Sequence, residues 1–213
     1  MTIQNLLVEL FVEELPPKAL KNLGDSFANS LTDSLKSQGL ASAHSTTTAF
    51  ATPRRLAVHV TDVAAAAADK AVQQKIMPVA VAMTADGQPT PALLKKLSSL
   101  GLTEQAVSQL KRLPDGKTEA LFIDIQVAGV TLQHGLQKAL EEALSKLPIP
   151  KVMSYQLADG WSSVNFVRPA HGLVALHGTQ VVQVSVLGLT AGRITQGHRF
   201  EALQSQISVQ SAD

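Results

Sequence analysis

Ile3-Gln4-Asn5-Leu6-Leu7-Val8-Glu9-Leu10-Phe11-Val12 is the stretch that decides how the rest of the chain must be arranged. At the two-residue period of a strand, Leu6, Val8, Leu10 and Val12 fall on one face, and Leu7 and Phe11 on the other. Apolar residues on both faces predict a central strand covered on both sides. Next outward, Pro16 and Pro17 open a helix, because a missing N–H costs nothing in a first turn. Leu20, Leu23, Phe27, Leu31 and Leu35 then recur at three- and four-residue spacing, and Gly39 ends the run. A second strand is expected over Arg54–Val63, with Leu56, Val58 and Val60 on one face and Ala57, His59 and Thr61 on the other.

Ala64–Ala71 is alanine-rich and reads as a short helix or a spacer. DGQPTP, Asp86–Pro91, is a turn cluster. Helices are expected at Ala92–Leu100 and Glu104–Lys111, split by Gly101, with Thr103 capping the second. PDGK, Pro114–Lys117, is a hairpin-type turn, and Leu121, Ile123, Ile125 and Val127 share one face of the strand after it. A further helix runs over Leu132–Lys146 on a stripe of Leu136, Leu140, Ala143, Leu144 and Leu147. Pro148 and Pro150 mark a boundary, with a mixed part over residues 1–148 and a β-rich part over 149–213 that is continuous with it. In the latter, Gly172–Leu176 and Gln180–Val186 read as a hairpin, where Val182, Val184 and Val186 alternate with polar residues and leave one face solvated. There is no internal repeat and no regular βαβ spacing. The fold class is α+β, with mixed or mainly antiparallel sheets and packed helices.

Composition narrows the function. With 213 residues, 45% hydrophobic and 16% charged, the chain is globular and can bury a core. Its net charge of +1 excludes a strongly basic nucleic-acid glove and an acidic tail, though a local basic patch remains open. The absence of cysteine excludes disulfides, cysteine zinc sites and thiol catalysis, and fits a reducing cytoplasm. Glu9, Glu13 and Glu14 interrupt the first apolar run, which is wrong for a signal peptide. The longest stretch without a charged residue, Pro169–Gly192, holds His171, His177 and three glycines before its end, and reads as strands and turns rather than a membrane span.

Among motifs that carry chemistry, glycine-rich phosphate loops, G-x-S-x-G and HExxH are all absent. His171 and His177 share a strand face but stand roughly 20 Å apart, too far for one metal ion. Glu13 and Glu14, before the proline-initiated helix, read as favourable charge at a helix start or as a carboxylate pair for acid–base work or amine binding. The arginines are more informative. Arg54 and Arg55 are adjacent, and Arg168, Arg193 and Arg199 each sit beside proline, glycine or the start of a strand. Guanidinium groups held in such places suit phosphate or carboxylate recognition; they also suit tying down loop carbonyls.

VELFVEELPPKAL, FATPRRLAVHV, ADGQPTPALLKK, NFVRPAHGLVALHG and GLTAGRITQGHRF occur in this order. Together they resemble the N-terminal part of the beta subunit of bacterial two-subunit glycyl-tRNA synthetase, over about Leu6–Phe200. ATPRRLAV and GHRF carry most of the weight. Two departures stand out: Met153-Ser154-Tyr155-Gln156 replaces a basic-aromatic segment expected upstream of FVRP, and Gly172 stands where a tryptophan usually follows the histidine. The family subunit is several times longer, so the chain reads as an N-terminal fragment.

The resemblance implies an assembly with an alpha subunit that uses ATP and magnesium to activate glycine, and with the tRNA for glycine, in the cytoplasm and with no membrane. It implies no cofactor and no catalytic residue in this region. The leading expectation is a non-catalytic module for tRNA handling and assembly, with Arg55, Arg168, His171, Arg193, His198 and Arg199 as candidate RNA-binding or interface residues. An editing-type hydrolase acting on misacylated tRNA, with His171 or His198 as base, and a pure assembly scaffold are the alternatives. Strand alternation further predicts Arg54 as buried and structural, and Arg55 as exposed and free for a phosphate or the alpha chain.

Overall fold

The computed structural model describes residues 2–84, 86–116, 118–149 and 151–213, so Pro150 and the Lys117 end of the PDGK turn lie outside the described residues. The chain forms two units, one of Met1–Ala68 with Val130–Asp213 and one of Asp69–Gly129. In order, it runs through β1 (Ile3–Val12), α1 (Leu20–Ser37), β2 (Thr47–Thr52) and β3 (Arg55–Ala64). The second unit holds β4 (Lys70–Pro78), α2 (Val79–Ala82), α3 (Pro91–Ser99), a 3-10 turn (Glu104–Gln109), β5 (Lys111–Asp115) and β6 (Thr118–Val127). The first resumes with α4 (Leu132–Ser145), β7 (Met153–Gln156), β8 (Ser163–Phe166), β9 (Ala170–His177) and β10 (Gln180–Val181). It ends with β11 (Ser185–Val186), β12 (Leu189–Thr190), β13 (Ile194–Gln196) and β14 (Gln206–Ser208). Paired strands are antiparallel throughout these elements, so the fold is α+β.

The main sheet of the first unit has the order β10-β9-β1-β3-β2, which puts β1 at its centre, as two apolar faces require. Leu6, Val8, Leu10 and Val12 are at most 1% exposed and join Leu23, Phe27, Leu31 and Leu35 of α1 and Leu136 and Leu140 of α4 in one core. Each such leucine contributes about 1.5–3 kcal/mol relative to staying in water. On the opposite face, Leu7 packs with Val174, Leu176, Val209 and Ala212. Helix α1 begins after a turn in which Ala19 N–H donates to Pro16 O and Leu20 N–H to Pro17 O. Gly39, just past its end, takes the left-handed conformation (φ +77°) that lets its N–H reach Lys36 O.

These units follow contacts, whereas the division expected at residue 148 followed composition. Strand β9, beyond Pro148, pairs with β1 from Leu6↔His177 to Val12↔Ala170, and so belongs with the N-terminal strands. Val182, Val184 and Val186 are buried and Ser185 is exposed, as their alternation requires.

In the second unit, Leu93 and Leu97 of α3 pack with Ile76, Leu121 and Ile123 of a sheet ordered β4-β6-β5. Thr90 caps α3, its Oγ1 accepting from Leu93 N–H at 3.4 Å. The helix expected at Glu104–Lys111 is instead a 3-10 turn that stops at Gln109; Thr103 makes no side-chain cap bond and Lys111 starts β5. Ala106 is the residue this turn buries, too little apolar surface to offset the cost of a longer helix. Ala64–Ala71 forms neither helix nor plain spacer: Ala64 ends β3, Ala67 N–H donates to Val130 O at 2.9 Å, and Lys70 starts β4.

Candidate functional site

Three loops of the first unit meet at the end of β1. They are the Glu13–Pro17 segment, the Pro53-Arg54 turn between β2 and β3, and the tip of the β13–β14 hairpin. Together with Arg168, just before β9, they line a concavity of about 920 Å³ that contains Arg54, Arg168, Arg199, Glu13 and Glu14. Arg54 and Arg199 also line an adjoining concavity of about 340 Å³ with Phe11, His198 and Phe200. Thus Arg54 and Arg199 border both compartments, and Arg55 and Glu14 also line the smaller, aromatic one.

Each side chain is positioned by local chemistry. The Arg54 guanidinium lies 4.9 Å above the Phe11 ring centre, and that of Arg199 lies 5.6 Å above Phe200. Arg168 Nε donates to Glu14 O at 3.0 Å, which fixes the loop that carries both glutamates. His171 is left out of the β1–β9 register at an irregularity beside Phe11 and Val12, which turns it to solvent with Nε2 3.3 Å from Glu13 Oε1. His177, expected on the same face, is instead buried, with Nε2 2.7 Å from Val63 O. His198 Nδ1 lies 3.8 Å from Glu201. Arg193 is elsewhere: its Nη2 donates to Thr179 O at 2.9 Å and secures the β9–β10 turn.

Arg54 and Arg55 do not divide into one buried and one exposed residue: both are half-buried and both line the smaller concavity. The strand register itself is as expected, with Leu56, Val58 and Val60 fully buried. However, β3 begins at Arg55, so Arg54 belongs to the preceding turn and alternation does not govern it. It projects into the concavity. The face that Arg55 shares with Glu9 and Phe11 is covered by β13. Arg55 Nη2 donates to Gln196 O, and Thr195 Oγ1 donates to Glu9 Oε1. Arg55 Nε lies 3.2 Å from Glu9 Oε2, an ion pair by distance although its alignment falls short of a hydrogen bond. Arg55 therefore anchors the hairpin that carries His198, Arg199 and Phe200.

The residues lining the larger concavity include the carboxylates Glu13 and Glu14 but no Ser, Thr, Lys or His, while His198 and Thr52 line the adjoining one. Among the described residues, no group of three or more His, Asp or Glu is placed to hold a metal ion. No described helix is long and apolar enough to cross a membrane. Sequence reasoning missed Arg54 and Phe200 as site residues. Pro53, which ends the regular pleat before Arg54, was the available signal for the first; Phe200 closes the GHRF motif, but its exposure is a property of the hairpin tip.

Fold and site together define an antiparallel α+β module in which guanidinium groups converge on an open concavity beside two carboxylates. The family model for the glycyl-tRNA synthetase beta subunit matches residues 6–213, and the chain belongs to that family. It is 68% identical over 213 residues to the glycine–tRNA ligase beta subunit of Leptothrix cholodnii, covering all of this chain and 30% of that relative. It is 67% identical over 214 residues to the Acidovorax sp. subunit, again covering all of this chain and 30% of the relative. The chain therefore spans about 30% of the length of these curated relatives.

Proposed function

We propose that this chain is a non-catalytic, tRNA-handling and assembly part of glycyl-tRNA synthetase, in which Arg54, Arg168 and Arg199 engage the phosphate backbone of the tRNA for glycine. In this reading it assembles with an alpha subunit, which uses ATP and magnesium to activate glycine in the cytoplasm. The observation that supports it is the convergence of three arginines, from segments far apart in sequence, on one open concavity. Planar guanidinium groups fixed by aromatic rings and loop carbonyls are suited to phosphate oxygens.

The test uses full-length beta subunit assembled with alpha. Replacing Arg54, Arg168 and Arg199 together by alanine should raise KM for tRNA and flatten the salt dependence of binding by about one phosphate per arginine that makes a contact. Glycine-dependent ATP–pyrophosphate exchange by the assembly should not change, and this chain alone should show none. Unaltered tRNA affinity and salt slope in the triple variant would remove the reading.

A further inference from the structure

We infer that the smaller concavity takes a single unpaired nucleotide of RNA, its base stacked on Phe200 and its phosphate held by Arg54 and Arg199. The inference deepens the RNA-handling reading and rests on it.

Phe200 is 84% exposed at the tip of the β13–β14 hairpin, an unusual position for a large aromatic ring. It is not isolated: Arg199 stands over one face of its ring, and the His198 ring meets it edge-on at 6.3 Å. A ring with an accessible face beside fixed cations is the arrangement on which an unpaired base stacks. The compartment it borders, about 340 Å³, lies at the small end of the range for nucleotide-sized ligands.

Charge argues for the same ligand. A surface that tracks a duplex needs an extended row of cations. Here Arg54, Arg55, Arg168 and Arg199 share adjoining depressions with Glu13 and Glu14, which offset part of their charge, so long-range attraction is weak. Binding must come from short-range contacts, which a single splayed nucleotide provides through its base and its phosphate. The hairpin is held for that purpose. Arg55 and Glu9, neither of them fully exposed, bond to Gln196 and Thr195 immediately before the tip. Arg55 is thus a positioning residue, and its side chain also lines the compartment.

The experiment uses the assembled full-length enzyme, with a single-stranded RNA dodecamer and its blunt duplex as probes. Phe200→Ala should weaken the single strand by about 5- to 100-fold while leaving the duplex unchanged, and Phe200→Trp should restore it. Irradiation at short wavelength should cross-link the single strand to Phe200. The inference is overturned if Phe200→Ala leaves single-strand affinity within about twofold, weakens both probes equally, or instead releases the alpha subunit. In those cases the arginine triple variant separates the two ideas. If it still weakens RNA binding, only the nucleotide pocket is lost; if it does not, the RNA-handling reading falls as well.

Discussion

Replacing Arg55 by alanine should destabilise the first unit and loosen the β13–β14 hairpin. The substitution removes a charge-assisted hydrogen bond to Gln196 O and strips Glu9 of its cation. The Glu9 side chain is 13% exposed and that of Arg55 27%, so the pair lies between a surface pair worth under about 1 kcal/mol and a buried one whose breaking costs about 3–5 kcal/mol. A loss of about 2–3 kcal/mol follows, or a fall in Tm of roughly 4–12 °C. Hydrogen exchange should localise the loosening, with amides of Ile194–Ser208 gaining the most. Glu9→Gln with Arg55→Ala should cost less than the sum of the two single changes. Arg54→Ala provides the contrast: it loses only its stacking on Phe11, worth about 0.5–1 kcal/mol, so Tm should fall by about 1–4 °C while tRNA binding weakens. If Arg55→Ala melted like the parent with unchanged hairpin protection, the anchoring role argued for it would be wrong.

Two further outcomes test the fold. A Cβ added at Gly24 would stand 2.7 Å from Ala51 Cβ, so α1 and β2 would have to separate. Gly24→Ala should therefore destabilise in chemical denaturation, because overpacking of about 1–3 kcal/mol exceeds alanine's helical advantage of about 1 kcal/mol, and a more stable variant would refute the close packing. Asp159 Oδ1 accepts from the N–H groups of Trp161 and Ser162 at 2.9 Å each. A side-chain hydrogen bond from Ser162, then these backbone bonds, hold its carboxyl below the ordinary value of 3.8. A carboxyl depressed on folding contributes stability that is complete above its unfolded pKa and is lost as pH falls through its folded one. The Trp161 amide resonance should accordingly titrate with a midpoint below 3.8, and a midpoint above that value would show the turn is not closed by the carboxylate.

The sequence by itself determined the central strand, the two long helices and their packing faces. Leu6, Val8, Leu10 and Val12 alternate, and Leu23, Phe27, Leu31 and Leu35 recur at helical spacing, so burial allows only one arrangement of each. It did not reveal β2 or β4. TTAFAT pairs at the sheet edge with little burial, and Lys70–Pro78 buries Ile76 alone, so neither carries a hydrophobic period to read. The family was legible too, from ordered motifs rather than from any one residue. What only the tertiary structure decided was where each arginine side chain lies and what it bonds. Arg54 and Arg55 are neighbours in sequence, and their difference lies in where the pleat starts and in a hairpin more than a hundred residues away that covers one of them. The convergence of Arg54, Arg168 and Arg199 is likewise a product of long-range strand pairing, β3 and β9 both laid against β1, and no local period of the sequence encodes it.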